Sequence, residues 1–324
     1  MTNITIGTNV TFIGSAAFTG CSSLTSVTLP NSVTNIGLQA FAGCTNVMAI
    51  TVETNNIFYS SVAGVLFDKG QSTLIQYPLG NGFRYYVIPN SVTNIGSYAF
   101  ANDTSLTSVT IPDSVTSISQ GAFNSCISLT SVSIGTNVTT IGQGAFGDCP
   151  NLTSVTIPDS VIGIGNWTFS GCTSLTNATF GKGVTSMGYG AIDVCFRLTS
   201  IYFTGNAPSL SSSIEYAGPF YGDTATIYYL PGTTGWSTPF GGLQAVLWLP
   251  QVQSSDASFG VRTNQFGFNI NWASGMVVVV QACTNLANSI WSPISTNTLT
   301  GGSFYFSDPK WTNYPARFYR LRSP

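Results

Sequence analysis

Along the chain, apolar and polar positions fall into one repeating figure. In "LTSVTIPDSV", at residues 106–115 and again at 152–161, Leu, Val and Ile alternate with Ser and Thr. That two-residue period predicts a short strand buried on one face. Pro-Asp or Pro-Asn then turns the chain, Pro presetting φ and the Asp or Asn side chain accepting a local backbone hydrogen bond. "SVTNI" or "SVTSI" predicts a second brief extended piece. "GQGAFGDC" and its relatives predict one or two turns of helix or 3-10 helix that deliver Ala and Phe inward.

The figure recurs at 23-residue steps. Phe18 and Phe41 are one step apart, as are Phe100, Phe123, Phe146 and Phe169, with Ile192 in the next slot. Cys21, Cys44, Cys126, Cys149, Cys172 and Cys195 keep the same step, and Asp103 stands in the cysteine's place after Phe100. One such unit cannot bury its apolar face alone, whereas a stack of units makes a continuous core. The pattern therefore predicts a β-rich solenoid of the leucine-rich-repeat kind, with short parallel strands, over residues 1–250.

Two departures subdivide it. Phe41 and Phe100 lie 59 residues apart, one repeat plus 36, and the excess contains "GVLFDKGQSTLIQYP", two apolar strands around a polar turn at Asp68–Ser72. This predicts a β-hairpin insertion over about residues 53–88. After Leu198 the small repeat residues give way to Tyr228, Tyr229, Trp236, Phe240 and Trp248, so residues 198–250 read as a cap that covers the end of the core. Past a polar linker, "QVQSSDAS" at 251–258, the short alternating strands "FGFNINW", "MVVVVQAC", "SFYFSD" and "ARFYRLR" predict a small β-sandwich over residues 259–324.

Composition narrows the function. The 324 residues include 9 basic and 11 acidic side chains and no histidine, so polarity rests on hydroxyls and amides. That balance offers no electrostatic footprint for nucleic acid. The strongest apolar run, Met276 to Val280, is far short of the roughly 20 residues of a spanning helix, so no transmembrane segment is expected. "MTNITIGTNV" lacks the basic and apolar regions of a secretory signal. The expectation is that a signal was removed or that the chain belongs to something longer.

The units "LTSVTIPDSVTSISQGAFNSC" and "LTSVTIPDSVIGIGNWTFSGC" resemble the BspA-like, treponemal-type leucine-rich repeats of bacterial surface proteins, over roughly residues 4–250. The tail "WSPISTNTLTGGSFYFSDPKWTNYPARFYRLRSP" is similar to a C-terminal β module of secreted bacterial proteins. The resemblance implies an extracellular or cell-surface adhesin that binds a protein or glycan on a host or neighbouring cell.

Candidate chemistry is sparse. Six period-matched cysteines admit three disulfides in an extracellular setting, but side by side at about 4.8 Å they fit a buried thiol ladder better. With no histidine and no Cys-x-x-Cys pair, neither a metal nor any other cofactor is expected. Only Lys69, Lys182, Lys310 or a carboxylate could serve as a base. Asp113 and Asp159, two coils and roughly 10 Å apart, have the spacing of an inverting glycosidase pair. Turn chemistry explains them equally, since Asn31 and Asn90 take the same slot. An enzyme is not expected.

Non-catalytic recognition leaves several candidates. Ser26 and Thr28, Ser108 and Thr110, Ser131 and Ser133, and Ser154 and Thr156 would form two outward hydroxyl columns, a solvated strand face or an ice- or carbohydrate-binding surface. Tyr202 on the inner face and Tyr59, Phe83, Arg84, Tyr85 and Tyr86 by the hairpin are the residue types that anchor interfaces. Arg317, Arg320 and Arg322 alternate and would share one face. Ile4 and Ile6 lie on the first coil, whose unpaired edge invites pairing with a copy of the same chain and hence a self-assembling structural subunit. The Asn-x-Thr sequons at Asn3, Asn9, Asn102, Asn137, Asn151, Asn166 and Asn177 recur by construction in a repeat made of Asn and Thr.

Overall fold

The computed structural model describes residues 3–211, 218–263, 265–287 and 290–323. Two compact units make it up: the described residues of Met1–Tyr228 with Thr233–Val246, and Tyr229–Gly232 with those of Leu247–Pro324.

The first unit is a solenoid. Each coil carries a first strand, such as Ser108–Thr110 or Ser154–Ile157, and a two-residue second strand, such as Ser117–Ile118 or Thr140–Ile141. Equivalent strands of successive coils pair in parallel at the 23-residue step. Ser108 lies opposite Ser131, and the second strands run in register from Asn94 through Ser117, Thr140, Gly163 and Ser186 to Ser209. A step of this kind aligns like with like, which explains why identical residues recur.

The core follows from that alignment. Phe100, Phe123, Phe146 and Phe169 are fully buried, with ring centroids 4.7, 5.1 and 5.5 Å apart and neighbouring planes within 17° of parallel. Every cysteine is free. Cys126, Cys149, Cys172 and Cys195 each donate a thiol to the Phe carbonyl 26 residues earlier, at 3.2–3.3 Å. Burial pushes all four thiols far above their ordinary pKa, so they remain protonated.

The segment that delivers Ala and Phe differs from the helical turn expected of it. The residue two before the core Phe or Ile adopts a left-handed φ in coil after coil: 57° at Ala16, 60° at Gln39, 60° at Tyr98, 61° at Gly121, 60° at Gly144, 52° at Trp167 and 58° at Gly190. A helix cannot run through that conformation. The amides bond along the stack instead, Phe100 to the Ala122 carbonyl at 2.8 Å and Phe123 to that of Ala145 at 2.7 Å. Each coil thus contributes to a third ladder of backbone hydrogen bonds.

The hairpin is an antiparallel meander of Tyr59–Val62, Val65–Asp68 and Thr73–Gln76. Its last strand also pairs in parallel with Asn94–Ile95 and so serves as the second strand of its own coil. Tyr77, 23 residues before Phe100, fills the Phe slot there and stacks on Phe100 at 4.7 Å. With that slot filled, the 59 residues from Phe41 to Phe100 are two repeats plus 13, and the 13 extra residues fall between Phe41 and Tyr77. At the other end, Ser200–Phe203 still pairs with Asn177–Phe180, and Trp236 packs on Phe203 and Phe240 at 5.1 and 4.9 Å.

The second unit is antiparallel throughout its described strands and resembles a small sandwich. One sheet sets Gln265–Asn271 between Gln251–Gln253, Gly260–Arg262 and Ser303–Asp308; the other sets Val277–Cys283 between Ser292–Thr298 and Phe318–Arg322. Phe268, Ile270, Trp272, Val278, Val280, Leu299 and Phe306 form its core. Residues 251–253, expected as linker, are a strand of the first sheet, and the Asp256 carboxylate accepts from Asn269 Nδ2 at 3.0 Å. No helix among the described residues is long and apolar enough to cross a membrane.

Candidate interaction surface

Where each coil turns into its first strand, a threonine precedes it, and these hydroxyls are spent on the stack. Thr107, Thr130, Thr153, Thr176 and Thr199 each donate Oγ1 to the carbonyl one coil earlier, at 2.9–3.3 Å. Thr93, Thr116, Thr139 and Thr185 do the same before the second strands, at 3.0–3.2 Å. Sequence reasoning missed these ladders, although the recurrence of Thr immediately before each strand was their signal.

The two columns on the strand face itself behave differently. Ser108, Thr110, Ser131, Ser133, Ser154 and Thr156 stand at outward positions, and none of the six hydroxyls hydrogen-bonds within the chain among the described residues. Strand pairing continues the columns through Asn177 and Thr179 to Ser200 and Tyr202. Tyr202 stacks on Tyr228 at 5.1 Å.

At the hairpin junction this face changes character. Tyr85 and Val87 are in register with Ser108 and Thr110, yet they present large side chains that are 73% and 69% exposed. Phe83, two residues earlier, is 60% exposed, and the backbone carbonyl of Arg84 receives the first threonine of the ladder. The strand period puts Tyr85 and Val87 on one side, with Phe83 just before the strand. Tyr86 is not part of this surface. It opposes Val109, packs on Tyr77 and Phe100 at 4.8 and 5.8 Å, and has its hydroxyl pKa pushed up to about 12 by burial. Tyr59 likewise packs partly buried against the core of the first coils, its hydroxyl 3.5 Å from the Thr34 carbonyl. Both rings are thus partly withdrawn from the surface, and Phe83, Tyr85 and Val87 make up the exposed part of the cluster.

Other candidates resolve into structure. Asp113 accepts from the Thr136 amide at 2.6 Å and its hydroxyl at 3.0 Å, which holds the carboxyl below its ordinary pKa, and Asp159 accepts from the Lys182 amide at 2.9 Å. Each carboxylate ties its turn to the next coil. Arg317 leaves the expected arginine face: it is buried in an ion pair with Asp308 at 2.7 Å, while Arg320 lies over Trp291 at 4.5 Å. Among the described residues no group of three His, Cys, Asp or Glu side chains could hold a metal ion. Among the described residues the strand Asn3–Thr5 pairs only with Ser26–Leu29, and Ile4 and Ile6 pack half-buried against the first core cluster.

This geometry is that of a known repeat class. The BspA-type leucine-rich-repeat region matches residues 1–64 and 83–216 in six copies. The chain belongs to the BspA-type leucine-rich-repeat family. Members are repeat scaffolds rather than catalysts, in keeping with side chains committed to packing and turn hydrogen bonds. The gap in the match, residues 65–82, coincides with most of the hairpin. Among solved structures, the pneumococcal vaccine antigen PcpA is similar at 25% identity and TM-score 0.60, over 69% of this chain and 55% of that one. A leucine-rich cell surface protein from Faecalibacterium prausnitzii is similar at 32% identity and TM-score 0.59, over 64% of this chain and 54% of its own. A leucine-rich-repeat protein from Eubacterium ventriosum, at 20% identity and TM-score 0.50, shares the fold over 74% of this chain and 85% of its own. This chain thus spans about half the length of the first two. No curated protein matches it.

Proposed function

We propose that this BspA-type protein is a non-catalytic adhesion module of the bacterial surface that holds a protein partner on the strand face at the hairpin junction. One observation carries the reading: Tyr85 and Val87 are exposed where the register otherwise places hydroxyls, and the Phe83 ring, just before the strand, is exposed beside them. Exposed aromatics clustered on a rigid scaffold, with Arg84 between them, match the composition of interface hot spots. The partner's rim would meet the neutral hydroxyl columns, which offer hydrogen bonds without charge. A surface location is supported by the family and by the relative described as a cell surface protein.

The test restores the repeat's hydroxyls at 85 and 87 and removes the Phe83 ring. The triple variant Phe83→Thr, Tyr85→Ser, Val87→Thr should keep its melting temperature and lose binding by more than tenfold on an array of purified extracellular-matrix and cell-surface proteins. Unchanged binding of the triple variant would sink the proposal.

A second reading rests on the strand Asn3–Thr5, which among the described residues has a partner on one side only. A second copy that pairs there would propagate head to tail. Size-exclusion chromatography and electron microscopy should then show filaments that vanish in Ile4→Lys, Ile6→Lys; a monomer at all concentrations excludes it.

A further inference from the structure

The left-handed position two residues before the core Phe is one that glycine fills without strain. Gly121, Gly144 and Gly190 do so, whereas Ala16, Gln39, Tyr98 and Trp167 do not. Tyr98 and Trp167 are among the bulkiest side chains available. Bulk kept under strain at two positions of one column points to a use for those side chains.

Their placement makes a slot. A Cβ built on Gly121 would come within 2.4 Å of the Tyr98 ring, and one on Gly190 within 2.6 Å of Trp167, so each aromatic leans over the glycine of the next coil. Gly144, between the two, has open space above it. The result is a depression of about 270 Å³ lined by Tyr98, Trp167, Asn124, Gln143, Asp148 and Ser170 among others.

The lining is held in place. Gln120 Nε2 donates to the Tyr98 hydroxyl at 2.9 Å, and Trp167 meets Tyr189 edge-on at 4.6 Å. Asn124 donates to the Gly147 carbonyl at 3.2 Å and accepts from Ser125 at 3.1 Å, which fixes its amide while leaving one N–H and one lone pair unused.

The chemistry selects a ligand. No cationic side chain lines the depression, so a phosphate or other anion finds no counter-charge. It is too small for a protein partner, which needs about 800 Å² on each side. An aromatic ring beside planar amide and carboxylate groups suits a ligand with one apolar C–H face and pairs of hydroxyls at its edge. We propose that this depression binds a single uncharged pyranose, with Tyr98 as the stacking platform and Asn124, Gln143 and Asp148 as hydroxyl partners. This site is separate from the strand face at Tyr85, and neither reading depends on the other.

Saturation-transfer NMR and titration calorimetry of the full chain against methyl β-glucoside, methyl β-galactoside and N-acetylglucosamine test it, with tetramethylammonium as a cation probe. The expected result is millimolar affinity for at least one sugar, reduced about tenfold or more in Gly144→Tyr. That variant fills the slot with a residue the same column already accepts at Tyr98. Trp167→Gly, which returns the column to glycine and relieves strain, should also lose binding, and it keeps the test valid if Gly144→Tyr fails to fold. Absence of any sugar signal, or binding indifferent to both variants, overturns the proposal. Tetramethylammonium binding that is lost in both variants while the sugars stay silent would identify a cation cage and overturn it equally.

Discussion

Truncating Phe123 to Ala probes the stack where it is most continuous. The ring is fully buried between Phe100 at 4.7 Å and Phe146 at 5.1 Å, so its removal breaks two aromatic contacts and opens a void. Each stacked pair contributes about 0.5–1.5 kcal/mol beyond its area, and buried Phe→Ala changes cost about 3–5 kcal/mol in total. The neighbours are held by backbone ladders on three sides, which limits collapse into the void and favours the upper half of that range. Phe18 is the control: it is only partly buried and has one stacked neighbour, Phe41, at 5.4 Å. Phe18→Ala should cost about half as much. Urea unfolding followed by far-ultraviolet circular dichroism gives both values. Because each coil touches only its neighbours, the Phe123 variant should also broaden the transition by uncoupling the two halves of the stack. Equal losses at the two positions, or a loss at Phe123 below about 1 kcal/mol, would refute the picture of one continuous column.

Three further outcomes follow from the same geometry. Thr153→Val keeps shape but removes the hydroxyl bonded to Thr130 at 3.3 Å, and should lower stability by about 1 kcal/mol in urea titrations. Burial pushes the Asp223 carboxyl up to about 7. The folded chain therefore holds that proton more tightly than the unfolded one, so the contribution is complete below about pH 4 and disappears as pH rises through 7. Melting temperatures at pH 5 and pH 8 should differ less in Asp223→Asn than in the parent, and an unchanged difference would count against the assignment. Of the seven cysteines only Cys21 is more than slightly exposed, so a thiol reagent should label one site in the native protein and the remaining six on unfolding.

Much of the solenoid was legible because burial imposes identity at a fixed step: the Phe and Cys columns follow from arithmetic on the sequence. The same arithmetic reaches further than pattern reading alone. Tyr77 precedes Phe100 by 23 residues and Tyr86 precedes Val109 by 23, so both are assigned to core slots by register. Read as members of an aromatic cluster around a hairpin, they look like surface residues. The left-handed turns were harder to see. A Gly-rich stretch ending in Ala-Phe fits a short helix as well as a turn, and only the glycines at 121, 144 and 190 hint at a positive φ. Arg317 was misplaced for a different reason. Arg317 and Arg320 are three residues apart, an odd step that a two-residue period puts on opposite faces, and the ion pair joins Arg317 to Asp308 on a strand of the other sheet that local sequence does not reveal.

Repetition also locates recognition by elimination. At consensus positions the side chains are already committed: Leu, Val, Ile and Phe to the core, the leading Thr to the backbone ladder, Asp113 and Asp159 to the turn of the next coil. In the middle coils the hydroxyls of Ser108, Thr110, Ser131, Ser133, Ser154 and Thr156 stay uncommitted, but they are nearly uniform from coil to coil and so discriminate poorly among partners. Discrimination needs chemistry that differs between coils, and large side chains in small-residue slots supply it. Tyr85 and Val87 break the columns on the strand face, and Tyr98 and Trp167 put large aromatic rings into the left-handed column on the turn side, where other coils have Ala16, Gln39, Gly121, Gly144 and Gly190. Both departures leave the backbone register intact, since Tyr85 still opposes Ser108 and the Tyr98 amide still bonds to Gln120 of the next coil at 3.0 Å. The scaffold therefore tolerates new side chains at these positions without a change of fold. Binding specificity in a BspA-type stack can then be altered one coil at a time, and returning either departure to consensus should erase recognition while the melting temperature holds.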